Sequence, residues 1–75
     1  MKQRNKEYNL GELNAGDRFY FSGNKSKTVY EVTKVYKHNF DTVTKIAKYI
    51  PGHFNLDESR VGKRDKEVIY LRSAL

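Results

Sequence analysis

Residues 1–75 are predicted to form one all-β domain, a small antiparallel barrel or a strongly bent sheet of about five strands. Three observations favour this fold class. Four segments are rich in β-branched and aromatic residues, turn-forming residues separate them at short intervals, and the chain has almost no helical periodicity. Closure or strong bending also hides the edge strands, which so short a chain has few other means to protect.

The first two long strands are predicted to form a hairpin. Gly16-Asp17 is a turn signal that leads into Arg18–Ser22, where aromatic residues alternate with other residues. The polar segment Gly23–Lys27 then turns the chain into Thr28–Tyr36, which is dense in β-branched and aromatic residues. The two segments are therefore expected to pair as neighbouring antiparallel strands.

An irregularity is expected inside the second of these strands. Tyr30 and Val32 share one face of a regular strand, but Val35 falls on the opposite parity. Either a bulge near Thr33 and Lys34 restores the register or Val35 is exposed. Because small barrels need bent strands, the bulge is favoured.

A turn at His38–Asp41 precedes a third strand, which is predicted over Thr42–Ile50. Apolar residues near the end of this segment also fit the spacing of a helix face. The β-branched start Thr42-Val43-Thr44 argues against a helix, and Pro51 follows directly. We therefore predict a strand.

The remaining chain supplies one more long strand, Lys66–Arg72. Residues 52–65 are polar and predicted to be irregular, apart from Phe54 and Leu56, which are expected to plug one end of the core. A fifth, short strand is expected from Tyr8–Leu10 or from His53–Leu56. The domain then divides into a basic N-terminal arm (1–9), the barrel (10–72) and a frayed end (73–75).

Residues 13–50 carry a family resemblance. Leu13–Gly23 followed by Val29–Val35 looks like the LxxGDxFxFxG…VYxVxxV opening of Src-homology-3-like and KOW-like small barrels, such as the N-terminal domain of elongation factor P. The resemblance implies an Src-homology-3-like fold filled by the alternating apolar residues. Where elongation factor P has a Pro-Gly-Lys-Gly-type tip with a modifiable lysine, this chain has Tyr36–Asp41, so no modification site carries over. The chain also looks like short proteins of bacterial and phage genomes.

Composition excludes several classes of function and favours anionic partners. Fifteen Lys and Arg residues against nine Asp and Glu residues give a net charge of +6. The absence of cysteine excludes disulfide scaffolds, thiolate zinc sites, iron–sulfur clusters and cysteine nucleophiles. No apolar segment resembles a secretory signal or reaches membrane-spanning length, so a cytoplasmic protein without membrane contact is expected.

The alternation of the strands predicts one surface with interleaved aromatic and cationic side chains. The residues expected inside are Phe19, Phe21, Tyr30, Val32, Ile46, Ile50, Ile69 and Leu71. Those expected outside are Arg18, Tyr20, Lys45, Tyr49, Tyr70 and Arg72. Such surfaces hold single-stranded nucleic acid, because bases stack on the rings while cations neutralise the backbone. The alternative is ordinary cross-strand pairing, with tyrosines that shield the barrel.

The segment from Arg60 to Lys66, here called the basic loop, is a second candidate site. Arg60, Lys63, Arg64 and Lys66 surround a glycine there and could present several charges to adjacent phosphates. The loop lacks the P-loop pattern. The alternative is a solvated loop whose cations pair with nearby carboxylates, namely those of Asp57, Glu58, Asp65 and Glu67.

The N-terminal cations and the two histidines give weaker signals. Lys2, Arg4 and Lys6 form either an arm that orders on nucleic acid or a solubilising end. His38 and His53 lie 15 residues apart with no cysteine nearby, so no metal site is expected. No serine or carboxylate pair has the neighbours that catalysis requires.

The sequence therefore predicts a non-enzymatic binding module without cofactor or small-molecule substrate, with nucleic acid as its partner. The alternative is a protein-interaction barrel, in which exposed tyrosines line a peptide groove or an edge strand pairs with a partner. A third possibility is a phage or mobile-element accessory protein that acts as a decoy or inhibitor of a host enzyme.

Overall fold

Antiparallel strands dominate the computed structural model, which describes residues 2–49 and 59–74. Within these residues, six strands form one sheet in the order β1-β6-β2-β3-β4-β5, and a single 3₁₀ turn, Leu10–Glu12, follows β1. The strands are β1 (Glu7–Asn9), β2 (Asp17–Phe21), β3 (Tyr30–His38), β4 (Asp41–Lys48), β5 (Arg60–Gly62) and β6 (Glu67–Ser73). The predicted all-β fold class is confirmed, in the form of a single sheet that is not closed into a barrel.

The 3₁₀ turn brings the two ends of this open sheet together. Leu10 N donates to Lys66 O at 2.8 Å, and Gly11 N donates to Arg64 O at 2.9 Å. Gly62, in edge strand β5, lies so near Leu10 that a Cβ atom on Gly62 would overlap Leu10 Cδ2. The sheet therefore bends around its core, although the described parts of β1 and β5 do not pair with each other.

The core lies on the concave side of the sheet. Its buried side chains are those of Leu10, Leu13, Phe19, Val32, Ile46 and Val68, and Tyr8, Phe21, Tyr30 and Tyr70 pack against them. The rings of Phe19 and Tyr30 are stacked with centroids 5.9 Å apart, and Phe21 meets Tyr30 edge-on at 5.1 Å. Burial of each large apolar side chain contributes about 1.5–3 kcal/mol.

The predicted turn at Gly16-Asp17 is confirmed, and it anchors both ends of the described chain. Gly16 has a φ of 93°, which favours glycine, and its N–H donates to Val32 O. Asp17 is 5% exposed, and its Oδ2 accepts from Asn14 N at 2.8 Å and lies 3.3 Å from Lys2 Nζ. Ala74 N donates to Gly16 O at 2.6 Å, so residues 73 and 74, expected to be frayed, are held in place.

The predicted bulge in β3 is confirmed. Val32 lies opposite Ile46 and Lys34 lies opposite Lys45, which leaves Thr33 as the extra residue. Thr33 Oγ1 donates to Lys45 O at 3.2 Å and so holds the bulge against β4. Val35 returns to the inner side but is still 39% exposed, because the β3–β4 hairpin continues past the core.

The segment Thr42–Ile50 is a strand as far as Lys48, so the helical alternative is wrong. The turn before it consists of Asn39 and Phe40, whose φ values are 50° and 70°. β1 confirms the first of the two places suggested for a short fifth strand. Ile50, His53, Phe54 and Leu56 lie outside the described residues.

Two further expectations are corrected. Arg60–Gly62 is a strand that pairs with β4, whereas residues 52–65 were expected to be irregular. In β6, Tyr70 and Val68 face the core, and Ile69 and Leu71 face away from it, which reverses the predicted parity. The reason is that Val68, Ile69, Tyr70 and Leu71 are all apolar, so alternation alone gives no preference between the two faces.

Candidate functional site

The convex side of the sheet collects half of the predicted site residues. This outer face is defined here by the residues that alternate with the core residues of β2, β3 and β4, together with their cross-strand partners. Its cations are Arg18, Lys34, Lys45 and Arg72, and it also carries Tyr20, Glu31, Tyr36 and Tyr49. Predicted residues Arg18, Tyr20, Lys45, Tyr49 and Arg72 therefore share one surface.

Two arginines lie directly opposite each other on this surface. A register shift in β6 leaves Leu71 as an extra residue, so that Arg72 pairs with Arg18 while Tyr70 pairs with Phe19. Side chains that are directly opposed on antiparallel strands are close neighbours on the same face. The irregular register therefore brings two guanidinium groups into one place.

A small cleft surrounds this pair. Its volume is about 300 Å³, and we call it the arginine cleft; it is lined by Arg4, Arg18, Val29, Tyr49, Leu71 and Arg72. The Arg18 guanidinium lies over the ring of Tyr49, 4.0 Å from its centroid. Arg18 Nε also donates to Glu31 Oε1 at 3.0 Å, so the ring and the carboxylate together fix this guanidinium.

The arginine cleft has more positive than negative charge. Three arginines and no carboxylate line it, and the Glu31 carboxylate beside it is already paired with Arg18. In the part of the chain that the structure describes, no carboxylate forms an ion pair with Arg4 or Arg72. Guanidinium groups form paired hydrogen bonds with the oxygens of phosphates and carboxylates, and they are weakly hydrated, so this cleft suits an oxyanion.

A second like-charge pair lies farther along the same face. Lys34 is directly opposite Lys45 immediately after the β3 bulge, and Lys34 Nζ lies 5.1 Å from the centroid of the Tyr36 ring. Like charges placed directly opposite each other destabilise a sheet. The outer face thus contains two cross-strand pairs that an added anion would stabilise. Sequence reasoning missed Lys34 and Tyr36, because the cross-strand register that places them on this face cannot be read from one sequence.

The other predicted site residues lie elsewhere. Tyr70 is on the inner side, where its ring meets the ring of Tyr8 at 6.1 Å, so its prediction as an outer residue is wrong. Arg60 is opposite Ile46, and its guanidinium lies 5.5 Å from the centroid of the Tyr30 ring. Arg64 Nη2 donates to Gly11 O at 2.9 Å. The basic loop is therefore partly engaged in holding the fold.

A cleft larger than the arginine cleft lies beside the basic loop. This mouth cleft has a volume of about 720 Å³ and is lined by Phe21, Ser22, Gly23, Asn24, Arg60, Asp65, Lys66 and Glu67. Two cations and two carboxylates line it, so its formal charges cancel. Lys63 lines a smaller cleft next to it, together with Arg60 and Lys66.

The N-terminal segment is attached to the sheet. Asn5 N donates to Tyr70 O at 2.7 Å, and Tyr70 N donates to Lys6 O at 3.1 Å. This attachment extends β1 backwards along β6, and it carries Arg4 to the arginine cleft. Arg4 therefore contributes to a surface formed mainly by residues distant in the sequence.

Two classes of feature were not found among residues 2–49 and 59–74. No three His, Cys, Asp or Glu side chains there come together as metal ligands. No helix in those two stretches is long and apolar enough to cross a bilayer.

The chain matches no protein-family model, no curated protein and no solved structure. The resemblance of residues 13–50 to Src-homology-3-like and KOW-like barrels therefore rests on the residues that carry it and stays a prediction.

Proposed function

We propose that this protein is a non-enzymatic module that binds nucleic acid through its outer face. The observation that carries the proposal is the presence of two like-charge cross-strand pairs on one surface, with Arg18 opposite Arg72 and Lys34 opposite Lys45. Like charges directly opposite each other on neighbouring strands disfavour the free sheet, and an anion bound beside them relieves that repulsion. A cytoplasmic location fits this proposal, because nucleic acid is present there.

The spacing of the two pairs favours a polyanion over a single small anion. One pair bridges β6 and β2, and the other bridges β3 and β4. With strands about 4.8 Å apart, the pair centres are separated by roughly 10 Å across the sheet. One phosphate group cannot touch both pairs, whereas a nucleic-acid backbone presents a phosphate every few ångströms.

Aromatic side chains on the same face support this choice of ligand. Tyr20, Tyr36 and Tyr49 are partly exposed beside the cations. Bases stack on aromatic rings and on guanidinium planes, and the Arg18–Tyr49 contact already offers such a layered surface. The face therefore combines charge neutralisation with stacking.

The decisive experiment compares two double variants that each remove two positive charges. Arg4→Ala with Arg72→Ala strips the arginine cleft and leaves the Arg18–Glu31 pair intact, whereas Lys63→Ala with Lys66→Ala strips the basic loop. Binding of labelled single-stranded and duplex oligonucleotides is measured by fluorescence anisotropy between about 50 and 200 mM salt, where phosphate-dominated binding changes steeply.

The arginine variant is expected to bind more weakly. Its plot of the logarithm of the association constant against the logarithm of the salt concentration should be shallower by about 1.5, as the loss of two phosphate contacts requires. The lysine variant is expected to keep the slope of the wild-type protein. Equal effects of the two variants would mean that net charge alone drives binding. Failure of the wild-type protein to bind at the lowest salt would end the proposal.

The mouth cleft supports a second candidate function, recognition of an extended peptide. Phe21 lies in its wall, and Arg60, held over the Tyr30 ring, gives it a cation beside an aromatic cluster. Its balanced charges suit a peptide better than a polyanion. Arg60→Ala should then abolish capture of the peptide partner and leave oligonucleotide binding unchanged.

A further inference from the structure

The tip of the β3–β4 hairpin presents an aromatic side chain entirely to solvent. Phe40 is 103% exposed, the highest value among the large apolar residues that the structure describes. Its ring takes part in none of the aromatic contacts found in the described chain. The phenyl group therefore contributes nothing to the core.

Phe40 is also poorly suited to its turn. Asn39 and Phe40 both have positive φ values, 50° and 70°, as the two central residues of a type I′ hairpin turn do. Asparagine followed by glycine is the favoured pair in this turn, and a bulky residue at the second position is strained. Neither packing nor turn geometry explains a phenylalanine here, and strained residues cluster at functional sites.

The hairpin holds this ring away from the body of the protein. Between Lys34 and Lys45 each strand of the hairpin contributes five residues, half of the turn included. The tip therefore lies about 15 Å from the two lysines at the rise of a β-strand. Val35 is on the inner side but 39% exposed, so this part of the hairpin has left the core. The hairpin is an arm with an aromatic end.

Cations accompany the arm along its length. Lys34 and Lys45 stand opposite each other at its base, and Tyr36 follows on the same face. Lys37 lies nearer the tip on the inner side, the side of Val35. Asp41 is the one carboxylate between Lys34 and Lys45. The arm thus continues the positive outer face and ends in a stacking group.

We infer that the β3–β4 hairpin is a base-stacking arm, and that the ligand is single-stranded nucleic acid, with Phe40 stacked on an unpaired base. This inference rests on the proposed function. Inside a duplex each base face is covered by its neighbours, so away from the duplex ends a ring at the end of a hairpin meets a free face only where a base is unpaired. Lys34 and Lys45 contact the phosphates behind that base.

A protein partner fits the same tip less well. The exposed large apolar residues of the described chain are Val35, Phe40 and Val61, and they lie on the inner side, at the tip and on the outer face of β5 respectively. They form no common patch, whereas protein interfaces bury a cluster of such residues. A single aromatic ring on an arm that carries lysines is better suited to stacking on a base than to binding a protein surface.

The test uses two substitutions of Phe40 that separate stacking from folding. Phe40→Gly places the favoured residue in the turn, so the variant should melt at the same temperature or higher, but it removes the ring. Phe40→Trp restores a ring, and since the chain contains no other tryptophan, its fluorescence reports on the tip alone. Both variants are titrated with a 12-nucleotide single strand and with the corresponding blunt duplex.

We expect Phe40→Gly to weaken single-strand binding by about tenfold and to leave duplex binding unchanged. Phe40→Trp is expected to bind the single strand as tightly as the wild-type protein does, and its emission should be quenched on binding. Single-strand affinity of Phe40→Gly within twofold of wild type, or unquenched emission from Phe40→Trp in the bound state, would overturn the inference and leave the proposed function standing. A wild-type protein that binds neither oligonucleotide would overturn both.

Discussion

The outer face and the basic loop both collect cations, but they differ in what those cations do. In the basic loop, four cations fall within seven residues, and the structure engages two of them: Arg64 with Gly11 O and Arg60 with the Tyr30 ring. On the outer face, the cations are dispersed along the sequence, and the strand register gathers them into like-charge pairs.

The density of charge along a chain is therefore a poor guide to a binding site. Cations that are close in sequence can serve the fold, whereas cations brought together at a cost to stability call for another explanation. The polyanionic ligand that we propose would supply one, because it would convert repulsion in the free protein into attraction in the complex.

The largest change in the free energy of unfolding is expected from a substitution where the basic loop meets the 3₁₀ turn. Gly62→Ala introduces a methyl group that overlaps Leu10 Cδ2, and Leu10 is fully buried and has little room to move. The free energy of unfolding should fall by about 1–3 kcal/mol, measured by urea denaturation. Gly23→Ala is the control, since nothing lies within 4 Å of its added Cβ atom. Equal stability of the two variants would show that Leu10 does not pack against β5.

A gain in stability is expected when a buried hydroxyl next to Lys45 in β4 is removed. Thr44 is opposite Gly62 in β5, and its Oγ1 is buried without a hydrogen-bond partner in the described part of the chain. Thr44→Val should raise the free energy of unfolding by about 1 kcal/mol, because it removes an unsatisfied polar group. Thr33→Val is the matched control: its hydroxyl is bonded to Lys45 O, so that variant should be less stable. A loss of stability in Thr44→Val would show that its hydroxyl is satisfied.

The sharpest contrast between the two regions comes from two single arginine substitutions. Arg64→Ala removes the bond to Gly11 O and should cost about 0.5–1 kcal/mol of stability, with nucleic-acid binding nearly unchanged. Arg72→Ala relieves repulsion and should leave stability equal or higher while it weakens binding. Thermal melting and anisotropy titration on the same samples measure both quantities. If the two variants behave alike, the distinction between the regions is lost.

The smallest stability effect is expected from a charge reversal in the lysine pair. Lys45→Glu changes a like-charge pair with Lys34 into an opposite-charge pair and should add about 0.2–1 kcal/mol of stability. The same variant should bind oligonucleotides more weakly. Lys63→Glu, in the basic loop, has no directly opposed strand partner and should change stability less. A destabilised Lys45→Glu would mean that the two lysines do not repel each other in the free protein.

The sequence was sufficient to predict the long strands and the β3 bulge. Alternation and turn residues mark β2, β3, β4 and β6, and the change of parity between Val32 and Val35 requires an extra residue between them. β5 escaped prediction because Arg60-Val61-Gly62 contains one large apolar residue, too few for an alternating pattern.

The candidate site was only partly predictable. Parity placed Arg18, Lys45 and Tyr49 outside, but the pairing of Arg18 with Arg72 depends on the irregularity at Leu71, which leaves no mark in the sequence. The reach of the hairpin beyond the core, which exposes Phe40, depends in turn on where the other strands end. Such properties belong to the assembled sheet and are absent from any single segment.

The Gly16-Asp17 turn has a consequence for how the chain can be rearranged. Lys2 and Ala74 both contact this turn, so the two ends of the described chain lie side by side. Neighbouring ends can be joined by a short linker and the chain reopened in an exposed loop, such as the one between β2 and β3. A circular permutant of this kind would keep every strand neighbour in place while moving both ends away from Arg4 and Arg72, and would free that surface from fused tags.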